Sequence, residues 1–180
     1  GAIWVGVNRP LATPEKRYLL QDSESSVFIA DADTVAAIGE HSAELPDLRH
    51  LVVVDPADPA SEWRARVSAE LGAARPAVDI DPFAPAAIAY TSGTTGFPKG
   101  AVHSQHNVMV VASCSPHATS QPPGMRAGVC LPLTILNLMI LGPTGSLMYG
   151  FPIVCVDRVD AVGFAEWIER ERIHLVSLVP

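Results

Sequence analysis

Short runs of β-branched and aliphatic residues recur along the chain, separated by longer stretches of helical period. The runs predicted as strands are AIWVGV at 2–7, SVFIAD at 26–31, HLVVVD at 50–55, AAIAYT at 86–91, GAVHS at 100–104, AGVCLP at 127–132, PIVCVD at 152–157 and HLVSLV at 174–179. Val and Ile fit a pleated, packed surface, and strands that alternate with helical segments predict an α/β fold. The expected architecture is a layered, Rossmann-like domain with a mostly parallel sheet flanked by helices.

The helical segments carry start signals. Thr13, Pro14 and Glu15 read as an N-cap, a first-turn proline and an acid matched to the helix dipole, opening a helix toward Leu20. Ser61 takes the cap position before EWRARVSAEL, and Asp160 that of the last helix. In that last helix Phe164, Trp167 and Ile168 fall at i, i+3 and i+4, which predicts the face turned to the core. PHATSQPPGMR, with Pro116, Pro122, Pro123 and Gly124, is too rich in breakers for regular structure and reads as a surface connection.

From Ala127 to Val156 no residue is charged, and these 30 positions would be long enough to span a bilayer. Pro132, Pro143 and Pro152, with Gly142, Gly145 and Gly150, cut the run into pieces suited to buried strands and one short helix. No transmembrane segment is expected. The first residues lack a positive leader before their apolar run, so no secretory signal is expected either. Both ends of the chain lie inside apolar runs, GAIWVGV and LVSLVP, so the remainder of a larger chain is expected to cover them.

Composition narrows the partners. The 180 residues suffice for one compact domain, and a hydrophobic share of 48% supplies a core. Twelve Lys and Arg against 19 Asp and Glu give a net charge of −7, with no basic cluster to hold a phosphate backbone, so nucleic acid is not an expected partner. Cys114, Cys130 and Cys155 are odd in number and set among apolar neighbours, which predicts buried thiols in a reducing, cytoplasmic compartment.

Candidate chemistry concentrates in YTSGTTGFPKG, Tyr90 to Gly100, directly after the apolar run AAIAY. Gly93 and Gly96 can take positive φ, and without a Cβ their amides can turn toward one point. Thr91, Ser92, Thr94 and Thr95 add hydroxyl donors, Lys99 adds a compact positive charge, and Pro98 stiffens the exit. Such a donor set suits a polyphosphate. The spacing departs from the Walker A pattern, which needs Lys directly after its second glycine, and from G-x-G-x-x-G, because Gly93 and Gly96 lack the first close glycine pair. A plain Gly/Thr hairpin turn with no ligand would share the composition.

YTSGTTGFPKG resembles, at nearly every position, the phosphate-binding signature of the adenylate-forming superfamily, which includes acyl-CoA synthetases, peptide-synthetase adenylation domains and beetle luciferases. The segment GAIWVGVNRPLATPEKRYLLQDSESSVFIAD is similar to what precedes that signature, and AVHSQHNVMVVA to the strand and helix that follow it. FPIVCVDRVDAVGFAEWIERERIHLVSLVP is similar to the stretch where such enzymes return to the sheet. The resemblance implies that residues 1–180 are part of the large N-terminal AMP-binding domain of a fatty-acyl-CoA synthetase, without its C-terminal lid domain.

It further implies a two-step ligase. A carboxylate attacks the α-phosphate of ATP to give an acyl-adenylate and pyrophosphate, and a thiol, usually CoA, then takes the acyl group. Thr91, Ser92, Gly93, Thr94, Thr95, Gly96 and Lys99 would bind the β- and γ-phosphates, with Mg²⁺ as companion. The family's acid near the metal, its ribose aspartate, its hinge and its catalytic lysine all lie beyond the matched region, so no catalytic or metal-binding residue is assigned here and the segment alone is expected to be inactive.

Two positions depart from the family's pattern. Gln105 stands where members usually have His, with His103 and His106 on either side. The plain reading of those histidines is strand-end and helix-start polarity, and an HxxH pair without a nearby carboxylate is a poor metal site. Thr134 and Ile135 replace an aromatic–His pair after a proline, ahead of Leu136, Leu138 and Met139, which could line an acyl channel or simply pack the core. Two other functions fit the same loop: a nucleotide-binding or interaction module that has lost the chemistry, and a phosphotransferase that would release ADP rather than AMP.

Overall fold

The computed structural model describes residues 1–55, 57–58, 60–74, 76–91, 96–114, 124–157 and 160–177. Within them every predicted run contains a strand: β1 Trp4–Val5, β2 Val27–Ala30, β3 His50–Val53, β4 Pro85–Thr91, β5 Lys99–Ser104, β6 Ala127–Val129, β7 Ile153–Cys155 and β8 Leu175–Ser177. The helices are α1 Thr13–Asp22, α2 Ala32–Gly39, α3 Glu62–Ala69, α4 Gln105–Ser113, α5 Leu136–Met139, α6 Gly145–Tyr149 and α7 Ala161–Glu171. The fold is α/β, and the strands divide among three sheets ordered β1-β4-β5, β2-β3 and β7-β6-β8. Strand β1 pairs with β4, β2 with β3, and β6 with both β7 and β8, all in parallel.

The chain forms two compact units. One takes Val7–Ile80 together with Tyr90–Gly100. Its core is Leu20 from α1, Phe28 from β2, Ile38 from α2 and Leu45, with Ile38 wholly buried. Alternation along β2 explains the choice: Phe28 points to the core while its neighbours Val27 and Ile29 remain exposed. The other unit takes Gly1–Gly6, Asp81–Ala89 and Ala101–Pro180. There Cys130, Val154, Val156 and Ile173 are buried beneath Phe164, Trp167 and Ile168, the face of α7 predicted from its period. Middle strand β6 is buried at all its residues, and a Cβ at Gly128 would come within 3.0 Å of Ile173.

Several local expectations are corrected. The N-cap of α1 is Ala12, with extended backbone, and Thr13 begins the helix. Glu15 fixes this register, since its Oε2 accepts the Ala12 N–H at 2.7 Å. Ser61 does hold the cap position of α3, but its hydroxyl is buried and makes no hydrogen bond to the helix start. The bond from Arg66 to Glu62 at 2.7 Å supports that helix instead. Asp160 caps α7 as expected, accepting the Gly163 N–H at 2.9 Å. Of the cysteines only Cys130 is buried; Cys114 ends α4, and Cys155 lies on the face of β7 opposite buried Val154.

The uncharged stretch is divided as the breakers require. Helix α5, a wide π turn at Ile140–Thr144 around Pro143, and α6 follow one another between β6 and β7, and Gly150 ends the helical run at φ +71. Among the described residues no helix is long and apolar enough to cross a membrane. The proline-rich connection falls largely in 115–123, outside the described residues.

Helix α2 has no counterpart among the sequence expectations. Asp31, read there as a strand end, is its N-cap, accepting from the Thr34 N–H and the Thr34 hydroxyl, each at 3.0 Å. The Thr34 N–H is the main cause that holds the carboxyl below its ordinary 3.8, with the hydroxyl and Arg9 adding to it. A lowered carboxylate stabilises the fold above its ordinary value, and that contribution is lost as pH falls through the lowered one. Asp31→Ala is therefore expected to cost about 1 kcal/mol at neutral pH. In thermal melts across pH its gap to the wild type closes below about 3.8.

Candidate phosphate-binding loop

Strands β4 and β5 are neighbours in one sheet, and the segment that joins them is the glycine- and hydroxyl-rich loop. Thr91 ends β4 and is exposed. Gly96 has φ +109, where an L side chain would be strained, and a Cβ there would meet open space, so its backbone and not its packing demands glycine. Lys99 opens β5 with its side chain exposed, and no carboxylate among the described residues pairs with it. Ser92, Gly93, Thr94 and Thr95 lie outside the described residues. The structure thus places Thr91 at the end of β4, Lys99 at the start of β5 and Gly96 three residues before it.

Helix α1 reaches both arms. Tyr18 donates its hydroxyl to the Pro98 carbonyl at 3.0 Å and lays its ring against Phe97, centroid to centroid 5.2 Å. One turn further on, Asp22 Oδ2 accepts the hydroxyl of Tyr90 at 2.6 Å. Burial first, and then the Asp22 carboxylate, push the Tyr90 phenol well above its ordinary 10.0, so it stays a protonated donor. Neither Tyr18 nor Asp22 figured among the sequence candidates; their partners lie 80 and 68 positions away, and the only local signal was an acid at the end of a helix.

After the loop, Ser104 caps α4 by accepting the Asn107 N–H at 3.1 Å. Gln105 and His106 then use their backbone N–H groups on the carbonyls of Ala84 and Pro82, at 3.0 and 2.7 Å. His103 pairs with Asn107 at 3.0 Å, and His106 rests against Phe83. Both histidines serve strand-end and helix-start polarity. Among the described residues no group of three or more His, Cys, Asp or Glu could hold a metal ion.

Two concavities compete with the loop as ligand sites. One, of about 300 Å³, lies at the carboxyl ends of β2 and β3, where parallel sheets commonly bind ligands. Asp31, Asp33 and Asp55 line it against a single cation, Arg9, which already lies 3.7 Å from Asp31, so it repels a polyphosphate. The other, among Gly128, Val129, Leu138, Leu141 and Ile153, has only about 20 Å³, room for one water and not for an acyl chain. Leu138 is core packing.

The model of the AMP-binding enzyme family matches residues 1–180. An indoleacetate–CoA ligase of Aromatoleum aromaticum is 33% identical over 182 residues, covering 100% of this chain and 35% of that protein. The long-chain-fatty-acid–CoA ligase FadD13 of Mycobacterium tuberculosis is 31% identical over 189 residues, with the same coverages. Among solved structures, the inhibitor-bound N-terminal domain of FACL13 from Mycobacterium tuberculosis superposes with a TM-score of 0.78 at 28% identity, covering 100% of this chain and 44% of that one. The chain spans about a third of the length of the relatives it matches. With the loop and the α/β fold in place, the match over residues 1–180 leads to one conclusion: the chain belongs to the AMP-binding enzyme family.

Proposed function

We propose that residues 1–180 are part of the large N-terminal domain of an ATP-dependent acyl-CoA synthetase, which joins a carboxylic acid, a fatty acid in the first instance, to CoA through an acyl-adenylate. The observation that carries this reading is the signature YTSGTTGFPKG set between the neighbouring strands β4 and β5, with Gly96 at positive φ and Lys99 exposed. Relatives named as CoA ligases for indoleacetate and for long-chain fatty acids support the reaction class.

In this reading Thr91, Ser92, Gly93, Thr94, Thr95, Gly96 and Lys99 hold the β- and γ-phosphates. Negative charge grows on the leaving pyrophosphate as the carboxylate attacks, and hydroxyls, amides and the Lys99 ammonium compensate it without covalent involvement. Mg²⁺ prefers an octahedral set of oxygens that includes carboxylates, and the loop offers hydroxyls alone. These residues fit the phosphates better than they fit the metal, so no step is routed through the ion. The acid, ATP and CoA are the proposed small-molecule partners, the remainder of the protein completes the site, and the proposed compartment is the cytoplasm.

The test is carboxylate-dependent exchange of pyrophosphate into ATP by the full-length protein, across aliphatic and aromatic acids. Exchange with at least one acid, and AMP as the product, is expected, while residues 1–180 alone are expected to show none. Release of ADP, or no exchange with any acid, overturns the proposal.

A further inference from the structure

We propose that Tyr18 and Asp22 are positioning residues that grip the two described arms of the loop from α1 and so support nucleotide binding, an inference that rests on the phosphate-binding reading above. Tyr18 and Asp22 stand at i and i+4, so both project from one face of the helix. Tyr18 takes the outgoing arm, one residue before Lys99, through the Pro98 carbonyl and the Phe97 ring. Asp22 takes the incoming arm, one residue before Thr91, through the Tyr90 hydroxyl. The grip closes on main chain and side chain at positions that flank the candidate ligand-binding residues without including them.

Two independent observations favour this role over incidental contact. Residues Tyr90–Gly100 form a compact unit with Val7–Ile80, whereas the flanking segments Asp81–Ala89 and Ala101–Pro180 belong to the other unit. The described arms of the loop therefore group with the helix that grips them. In addition, Asp22 is the last residue of α1, where the helix dipole disfavours an acid, and no basic residue occupies that last turn. A residue that is locally unfavourable and hydrogen-bonded at 2.6 Å across the fold has its reason in the distant contact.

The helix is a firm support. Leu19 and Leu20 are each 3% exposed, Leu20 lies in the core with Phe28 and Ile38, and Ser23 closes the helix end by donating to the Leu19 carbonyl at 2.6 Å. Anchored so, α1 restricts how the loop arms can move. Arms released from the grip would spend part of their time in positions that do not support binding, and apparent affinity falls in proportion to the competent fraction.

The experiment uses the full-length protein with Tyr18→Phe, Tyr90→Phe and their double variant, assayed by pyrophosphate exchange with separate KM values for ATP and for the carboxylate. Each lost hydrogen bond is expected to raise the ATP KM about threefold and the pair about tenfold. The carboxylate KM and kcat should stay within about twofold. Asp22→Asn keeps an acceptor for Tyr90 and should behave as the wild type, whereas Asp22→Leu should resemble Tyr90→Phe. A merely structural pair would lower the melting temperature and leave the ATP KM unmoved, which overturns the proposal. If Lys99→Ala impairs ATP use while the double variant does not, the grip falls and the phosphate-binding reading stands. If the wild type neither exchanges pyrophosphate nor binds ATP, both fall together.

Discussion

Gly6→Ala is expected to destabilise the protein by about 3 kcal/mol or more, a loss large enough to unfold a marginal domain. A Cβ at Gly6 would overlap the carbonyl oxygen of Thr134, and would lie 2.8 Å from its carbonyl carbon and 2.6 Å from Trp4 Cη2. An indole can swing aside. The Thr134 carbonyl cannot, because it is main chain leading into α5, so one of two backbone segments has to move. The position needs glycine for space and not for its torsion angle. Gly39→Ala is the matched control, since its Cβ would meet only Leu51 Cδ1 at 3.5 Å, an ordinary contact at the end of α2. It should be neutral or raise stability by up to about 1 kcal/mol. Urea unfolding of both variants separates the cases, and equal midpoints would refute the close approach of Gly6 to Thr134.

Lys99→Ala in the full-length protein should reduce ATP-dependent pyrophosphate exchange by about a hundredfold, in line with removal of one preorganised donor from a developing anion. Its side chain is exposed at the start of β5, so stability should change by no more than about 0.5 kcal/mol. Lys99→Arg should recover part of the loss, because charge is kept while the compact ammonium geometry is not. Melting temperature and kinetics measured on the same preparation decide the point: unaltered kinetics assign Lys99 to solvent, and a collapsed fold assigns it to structure.

The strands were legible because packed β-branched runs such as SVFIAD and HLVVVD have few alternatives at that length. The core face of α7 was legible for the same kind of reason, since Phe164, Trp167 and Ile168 repeat with the helical period. Local rules failed where a tertiary partner decided the outcome. Thr13 has the better capping side chain, yet Glu15 reaching back to Ala12 shifts the helix start by one residue. Cys155 looked buried by composition, but strict alternation along β7 turns it outward once Val154 faces in. Helix α2 escaped notice because eight residues with Asp31 at their head look like the end of a strand.

The candidate site divides along the same line. Its chemistry was legible in Tyr90–Gly100, where glycine, hydroxyl and lysine spacing is local information. Its mechanical support was not, since Tyr18 and Asp22 meet Pro98 and Tyr90 only across sequence separations of 80 and 68.

The order in which the two units share the chain has a consequence for biosynthesis. The polypeptide passes from one unit to the other at 6–7, 80–81, 89–90 and 100–101, so each unit is assembled from segments distant in sequence. Strand β1 finds its parallel partner only at Ala87 and Ile88, and β6 gains its second neighbour only at Leu175. A nascent chain leaving the ribosome therefore carries unsatisfied strand edges until these late segments emerge, a window in which a holding chaperone or slow translation would protect it from aggregation.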